Sequence, residues 1–184
     1  MDGISLMVEE HENITRMLKI VRKACVNVMN GNEIDFVDFA NMIEFIRFYA
    51  DKHHHEKEEK FLFNKMVDEI GGAAEKLVKY GMLVEHDLGR FYIKELEDSL
   101  AKVKAGDQEA KLDVISNAIS YTHLLTRHID KENNVAYPFA RRKLSQETLS
   151  KIHEQCQTFE EERTRLGVQG KYIEMLKCLE VKYK

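Results

Sequence analysis

Tryptophan is absent, proline occurs once (Pro138), and glycine nine times in 184 residues. So few breakers argue against a turn-rich β sandwich, and with 33% charged residues they favour long helices. The three cysteines (Cys25, Cys156, Cys178) are odd in number, far apart and lack Cys-x-x-Cys spacing. They read as reduced thiols, not as a disulfide framework or a thiolate metal site. Basic excess is also missing: the formal charge is −4, which leaves no footprint for nucleic acid. No stretch approaches the roughly 18 apolar residues of a membrane span. Met1 to Asn13 carry neither the basic region nor the apolar run of a signal peptide. The expectation is one domain over residues 1–184, cytoplasmic, with no membrane or nucleic-acid partner.

What the chain does contain is helical periodicity. Leu6/Met7, Ile14, Leu18, Val21, Cys25 and Val28 mark a first helix that Gly31 ends. A second runs from about Ile34 to Val67, up to the breaker Gly71-Gly72, and a third passes through Leu77, Leu83, His86, Ile93, Leu96 and Leu100. After Gly106-Asp107, with Asp107 as a cap, a fourth carries Val114, Ala118, Tyr121, Leu124/Leu125, His128, Glu132 and Val135, and Pro138 is expected to stop or kink it. Short glycine turns between long helices predict an all-α, antiparallel up-down-up-down four-helix bundle over about residues 4–140. A C-terminal extension over about 145–183 is read as an appendage: a helix from about Gln146 to Arg165, capped by Ser145, then a last short one.

One stretch nearly repeats. Aligned on His54 and His128, both copies read His-x-x-Lys-Glu, and an aromatic follows. A His and a Glu at i and i+4 share a helix face, so His54/Glu58 and His128/Glu132 can each present nitrogen and oxygen to a metal. His11 and His86 place one more imidazole on the apolar stripe of each remaining helix. Two bridging carboxylates, four imidazoles and an oxo or hydroxo bridge would fill about ten of the twelve positions of two six-coordinate metals, leaving room for a small ligand. Donors without thiolate suit iron, manganese or zinc, and the bridged carboxylates favour iron. His53 and His55 are expected to point off the His54 face toward solvent, and Glu10 and Glu85 to be exposed helix carboxylates, with a role as acceptors for an imidazole N–H as the alternative. Phe61, Phe63, Tyr137 and Phe139 are read as core, His123 as partly exposed, and Arg90 as either a charge beside the cluster or a surface side chain.

These motifs give a resemblance. Glu10-His11, His54-His55-x-Lys57-Glu58-Glu59, Glu85-His86-Asp87-x-Gly89-Arg90 and His128-x-x-Lys131-Glu132 with Tyr137-Pro138, in that order, resemble the hemerythrin-like proteins that carry the His-His-Glu cation-binding domain. The resemblance implies a non-haem di-iron centre: two iron ions with His11, His54, His86 and His128 as terminal ligands and Glu58 and Glu132 bridging. It also implies a small ligand, namely dioxygen, nitric oxide or peroxide. Turnover of hydrogen peroxide or reduction of nitric oxide, and an iron- or oxygen-sensing regulatory role, stand as alternatives. Oxygen-carrying hemerythrins have a second His one turn after the third-helix His, where this chain has Arg90, so the His set is read as reduced to four. Tyr49 and Glu162 are the candidates to replace the missing ligand.

Overall fold

The computed structural model describes residues 2–184, and among them there are helices and no strands. Six helices follow one another: α1 (Gly3–Met29), α2 (36–70), α3 (72–104), α4 (111–143), α5 (Gln146–Arg165) and α6 (Val168–Lys182). Local chemistry explains their starts. The Asp2 carboxylate accepts from the Ser5 amide, Asp35 accepts from Val37 and Asp38, and Ser145 accepts from Thr148, each meeting amide donors that a helix start leaves unpaired. Gly31 and Gly71 take positive φ (92° and 65°), the left-handed turns that end α1 and α2.

Helices α1 to α4 form a bundle in which α1 contacts α2 and α4, and α3 contacts α2 and α4. Apolar packing divides into two cores. One gathers Met17, Val21, Phe39, Phe45, Leu96, Tyr121 and Leu125. The other gathers Met7, Leu62, Phe63, Met66, Tyr137 and Cys156. A belt of buried polar side chains lies in sequence between these sets on every bundle helix: His11, His54, Glu58, His86, His128 and Glu132. Burying so many polar groups is unfavourable without partners, so the belt marks the place where stability is exchanged for chemistry.

The extension is more than an appendage. Helix α5 packs on α1 and on the 58–63 turn of α2, and α6 packs on α1 and the first half of α2. Arg16 holds Glu180 bidentately at 2.7 and 2.6 Å, and Tyr172 sits edge-on to Phe45. Pro138 does not stop α4, which continues to Lys143. The missing proline N–H falls just after a widened turn at Glu132–Ala136, where the regular i to i−4 ladder is already interrupted.

Candidate metal centre

Both copies of the repeated motif run into π-helical turns: Ile46–His55 and Glu58–Phe63 in α2, and Glu132–Ala136 in α4, where His128 stands on the α-helical turn just before. Such turns space their hydrogen bonds one residue wider than an α-helix and rotate the side chains that follow. The result is a compact polar knot. His11, His54, Glu58 and Glu132 offer donor atoms within 4.8 Å of one another, and so do His55, Glu58, His86 and His128. Glu58 belongs to both groups. Glu132 also spans them: its Oε2 is 3.2 Å from His11 Nε2, and its Oε1 is 3.0 Å from His128 Nε2.

The donor set fits cations. His11 Nε2, His54 Nε2, Glu58 Oε2 and both Glu132 oxygens are buried without a hydrogen-bond partner. Unsatisfied groups at this depth are unfavourable, and so many converging lone pairs are what a metal would use. Four imidazoles are also oriented from behind through Nδ1. His54 lies 2.8 Å from Glu10, His86 2.7 Å from Glu59, His128 2.9 Å from Glu85 and His11 2.9 Å from the Asn133 amide oxygen. An ionised carboxylate only accepts, so for neutral His54, His86 and His128 the proton sits on Nδ1 and the Nε2 lone pair faces inward. The fifth imidazole, His55, stacks on His86 with ring centroids 3.8 Å apart and faces Asp51 Oδ1 at 3.4 Å. Arg90 grips Asp51 and Glu59 at 2.7 Å each and so holds the acceptors behind His55 and His86.

Charge at the centre is divided. Burial, with Glu132 alongside, raises the Glu58 carboxyl well above its ordinary range. Burial acts on Glu132 in the same sense, but His128 and His11 outweigh it and hold that carboxyl well below. Burial and the neighbouring His11 lower His54 to about 4, and burial and His86 lower His55 well below its usual value. His128 goes the other way: burial disfavours its charge, yet Glu132 and Glu85 raise it to about 9. Without metal, then, His54 and His55 present free lone pairs, while His128 and Glu58 hold protons that an incoming cation would displace.

The two halves of the bundle are built alike. Glu10 of α1 meets His54 and Lys57 of α2, and Glu85 of α3 meets His128 and Lys131 of α4. His11 with Asn133 corresponds to His86 with Glu59. Tyr137 stacks on His11 at 5.6 Å, and Phe63 tilts toward His86 at 6.0 Å. This arrangement meets a direct comparison: the model of the hemerythrin HHE cation-binding domain matches residues 2–140. The chain belongs to the hemerythrin HHE family. No curated protein matches it.

In this hemerythrin domain all six residues singled out by spacing come together, and several expectations change. His53 and His55 are buried, not solvated. An α-helical wheel sets successive residues 100° apart, but the π turns alter that phase, and the centre is broad enough for His54 and His55 to serve different donor groups. His53 faces the Glu160 carboxylate of α5 at 3.2 Å. Glu10 is buried and Glu85 half-buried, each behind an imidazole of the next helix along the chain. Arg90 acts through two carboxylates instead of touching the donor groups. Tyr49 accepts from Asn13 at 3.0 Å and Glu162 is exposed; neither is in the donor groups, where His55 restores a fifth imidazole. Tyr137, read as plain core, donates its hydroxyl to Glu58. One signal could have found it: position 137 stands nine after His128 as Phe63 stands nine after His54, and only one of the pair carries a hydroxyl. A cavity of about 290 Å³, lined by Asp51, His55, His86, Gly89, Arg90 and Tyr121 among others, opens on the three-His side.

Proposed function

We propose that the chain is a hemerythrin-like di-iron protein that binds a small ligand (dioxygen, nitric oxide or peroxide). The observation that carries this reading is the unequal supply of imidazoles to two donor groups that share carboxylate. One position draws on His55, His86 and His128, the other on His11 and His54 only, with Glu58 and Glu132 between them. Equal coordination demands then leave an open place at the two-His position, which is where a small ligand would bind.

Iron, when bound with an oxo or hydroxo bridge, supplies reversible electron exchange with such a ligand. The protein's own contribution is geometric and electrostatic. The outer acceptors fix the imidazoles with lone pairs inward, and Tyr137 orients Glu58. The apolar core that follows the polar belt, with Met7, Leu62 and Met66, keeps bulk water from this end of the centre. An imidazole and carboxylate set without thiolate supports iron over softer-ligand metals.

The test is metal analysis and an optical spectrum of protein purified without chelator, before and after nitric oxide or peroxide. About two irons per chain, with near-ultraviolet bands that shift on ligand addition, is the expected result. One zinc per chain, or none of either metal, would sink the di-iron reading.

A further inference from the structure

The two halves treat the same lysine differently. Lys131 reaches Glu85 from an exposed position, with 41% of its side chain accessible. Its counterpart Lys57 is wholly inaccessible at 0%, because helix α5 closes over it. The Lys57 ammonium donates to Glu10 and to Glu160 of α5, and lies 3.3 Å from His53 Nε2. The other oxygen of Glu160 accepts from Gln169 of α6 at 2.7 Å. Two carboxylates, an imidazole and an ammonium thus close a buried polar cluster beside the centre, and Glu10 is shared between that cluster and His54.

We infer that Lys57 is a positioning residue for the two-His side of the centre, and that α5 completes this side through Glu160. The chain of contacts is Glu160 to Lys57, Lys57 to Glu10, and Glu10 to the Nδ1 proton of His54. This rests on the reading of His54 as a ligand. Removing the ammonium leaves Glu10 and Glu160 facing each other in a low-dielectric pocket. Of their shared donors only His53 Nε2 then remains, 3.1 and 3.2 Å away, so Glu10 is held less firmly where it meets His54. A displaced Glu10 is a poorer acceptor, so His54 loses the contact that fixes its Nδ1 proton and its ring orientation. The same change at Lys131 leaves Glu85 where water replaces the ammonium, with little consequence.

The experiment compares Lys57→Met and Glu160→Gln with Lys131→Met by two readouts. In metal-free protein, nitrogen-15 NMR follows the Nδ1–H resonance of His54. In iron-loaded protein, chelator competition follows how tightly each iron is held. Lys57→Met and Glu160→Gln should shift the His54 resonance and weaken retention of one iron of the two about 10- to 100-fold, while Lys131→Met changes neither by more than about threefold. Lys57→Arg should restore much of the wild-type behaviour. If Lys57→Met fails to fold, Glu160→Gln, which keeps the shape and removes the charge, decides alone. An unmoved His54 resonance with both irons held as in wild type, or an equal effect from Lys131→Met, overturns the inference. A wild-type chain that binds no iron sinks the di-iron reading instead and leaves the NMR comparison to judge the relay.

Discussion

Tyr137 donates its hydroxyl to Glu58 across the middle of the bundle, from helix α4 to helix α2. Both side chains are fully buried, and no water can replace the bond. Tyr137→Phe, which installs the ring found at the equivalent Phe63, should therefore cost about 1–3 kcal/mol of stability in metal-free protein. The deficit should shrink in loaded protein, where Glu58 gains another partner. Urea unfolding of both forms checks this; equal deficits in the two would show that Tyr137 serves packing alone.

His55 supplies the fifth imidazole, so His55→Ala should lower iron content from about two per chain toward one. His123→Ala, at an exposed position outside both donor groups, should leave it unchanged. Metal analysis after identical purification decides, and full occupancy in His55→Ala would remove His55 from the donor set.

Protonation should make metal-free protein most stable near pH 6.5. His128, raised to about 9 by Glu132 and Glu85, contributes stability that is full below the unfolded value of 6.5 and is lost as pH rises through about 9. His54, lowered to about 4 chiefly by burial, opposes folding as pH falls from 6.5 through about 4, because the unfolded chain takes up a proton that the folded one refuses. Melting temperatures between pH 4 and 9 should trace a maximum between these limbs. A melting temperature that climbs steadily from pH 6.5 to 9 would contradict the His128 pairing.

Thiol reactivity should single out one cysteine. Burial pushes the Cys25 thiol up to about 11 and the Cys156 thiol up to about 12, so both stay protonated and shielded at neutral pH. Cys178 is exposed. A chromogenic disulfide reagent should titrate one thiol quickly in the native chain and three after denaturation; three fast thiols in the native state would mean that α5 does not keep Cys156 docked against α1.

The parts of this structure written in local chemistry were legible. Ser145 caps a helix that begins at Gln146 and ends at Arg165, as its spacing required. The repeated His-x-x-Lys-Glu motif located Glu58 and Glu132, because an i, i+4 pair keeps its meaning wherever the helix packs. His55 was hidden because its inward direction depends on π turns, which come from the backbone's accommodation to packing and have no strong residue signature. Asn133, Glu59 and Tyr137 were hidden for a different reason. Each acts on a residue from the other half of the bundle, and helix periodicity says which face a side chain occupies, not which partner waits there.

The near-equivalence of the two helix pairs has a mechanical consequence. Residues 1–70 supply His11, His54, His55 and Glu58, and residues 72–143 supply His86, His128 and Glu132. Neither donor group can be assembled from one pair, and a glycine link at Gly71-Gly72 joins them. A bound cation would therefore act as a latch between two hairpins. Its departure would remove an attraction across their seam and leave buried polar groups there without a partner, so the bundle should loosen along that line before any single helix unravels.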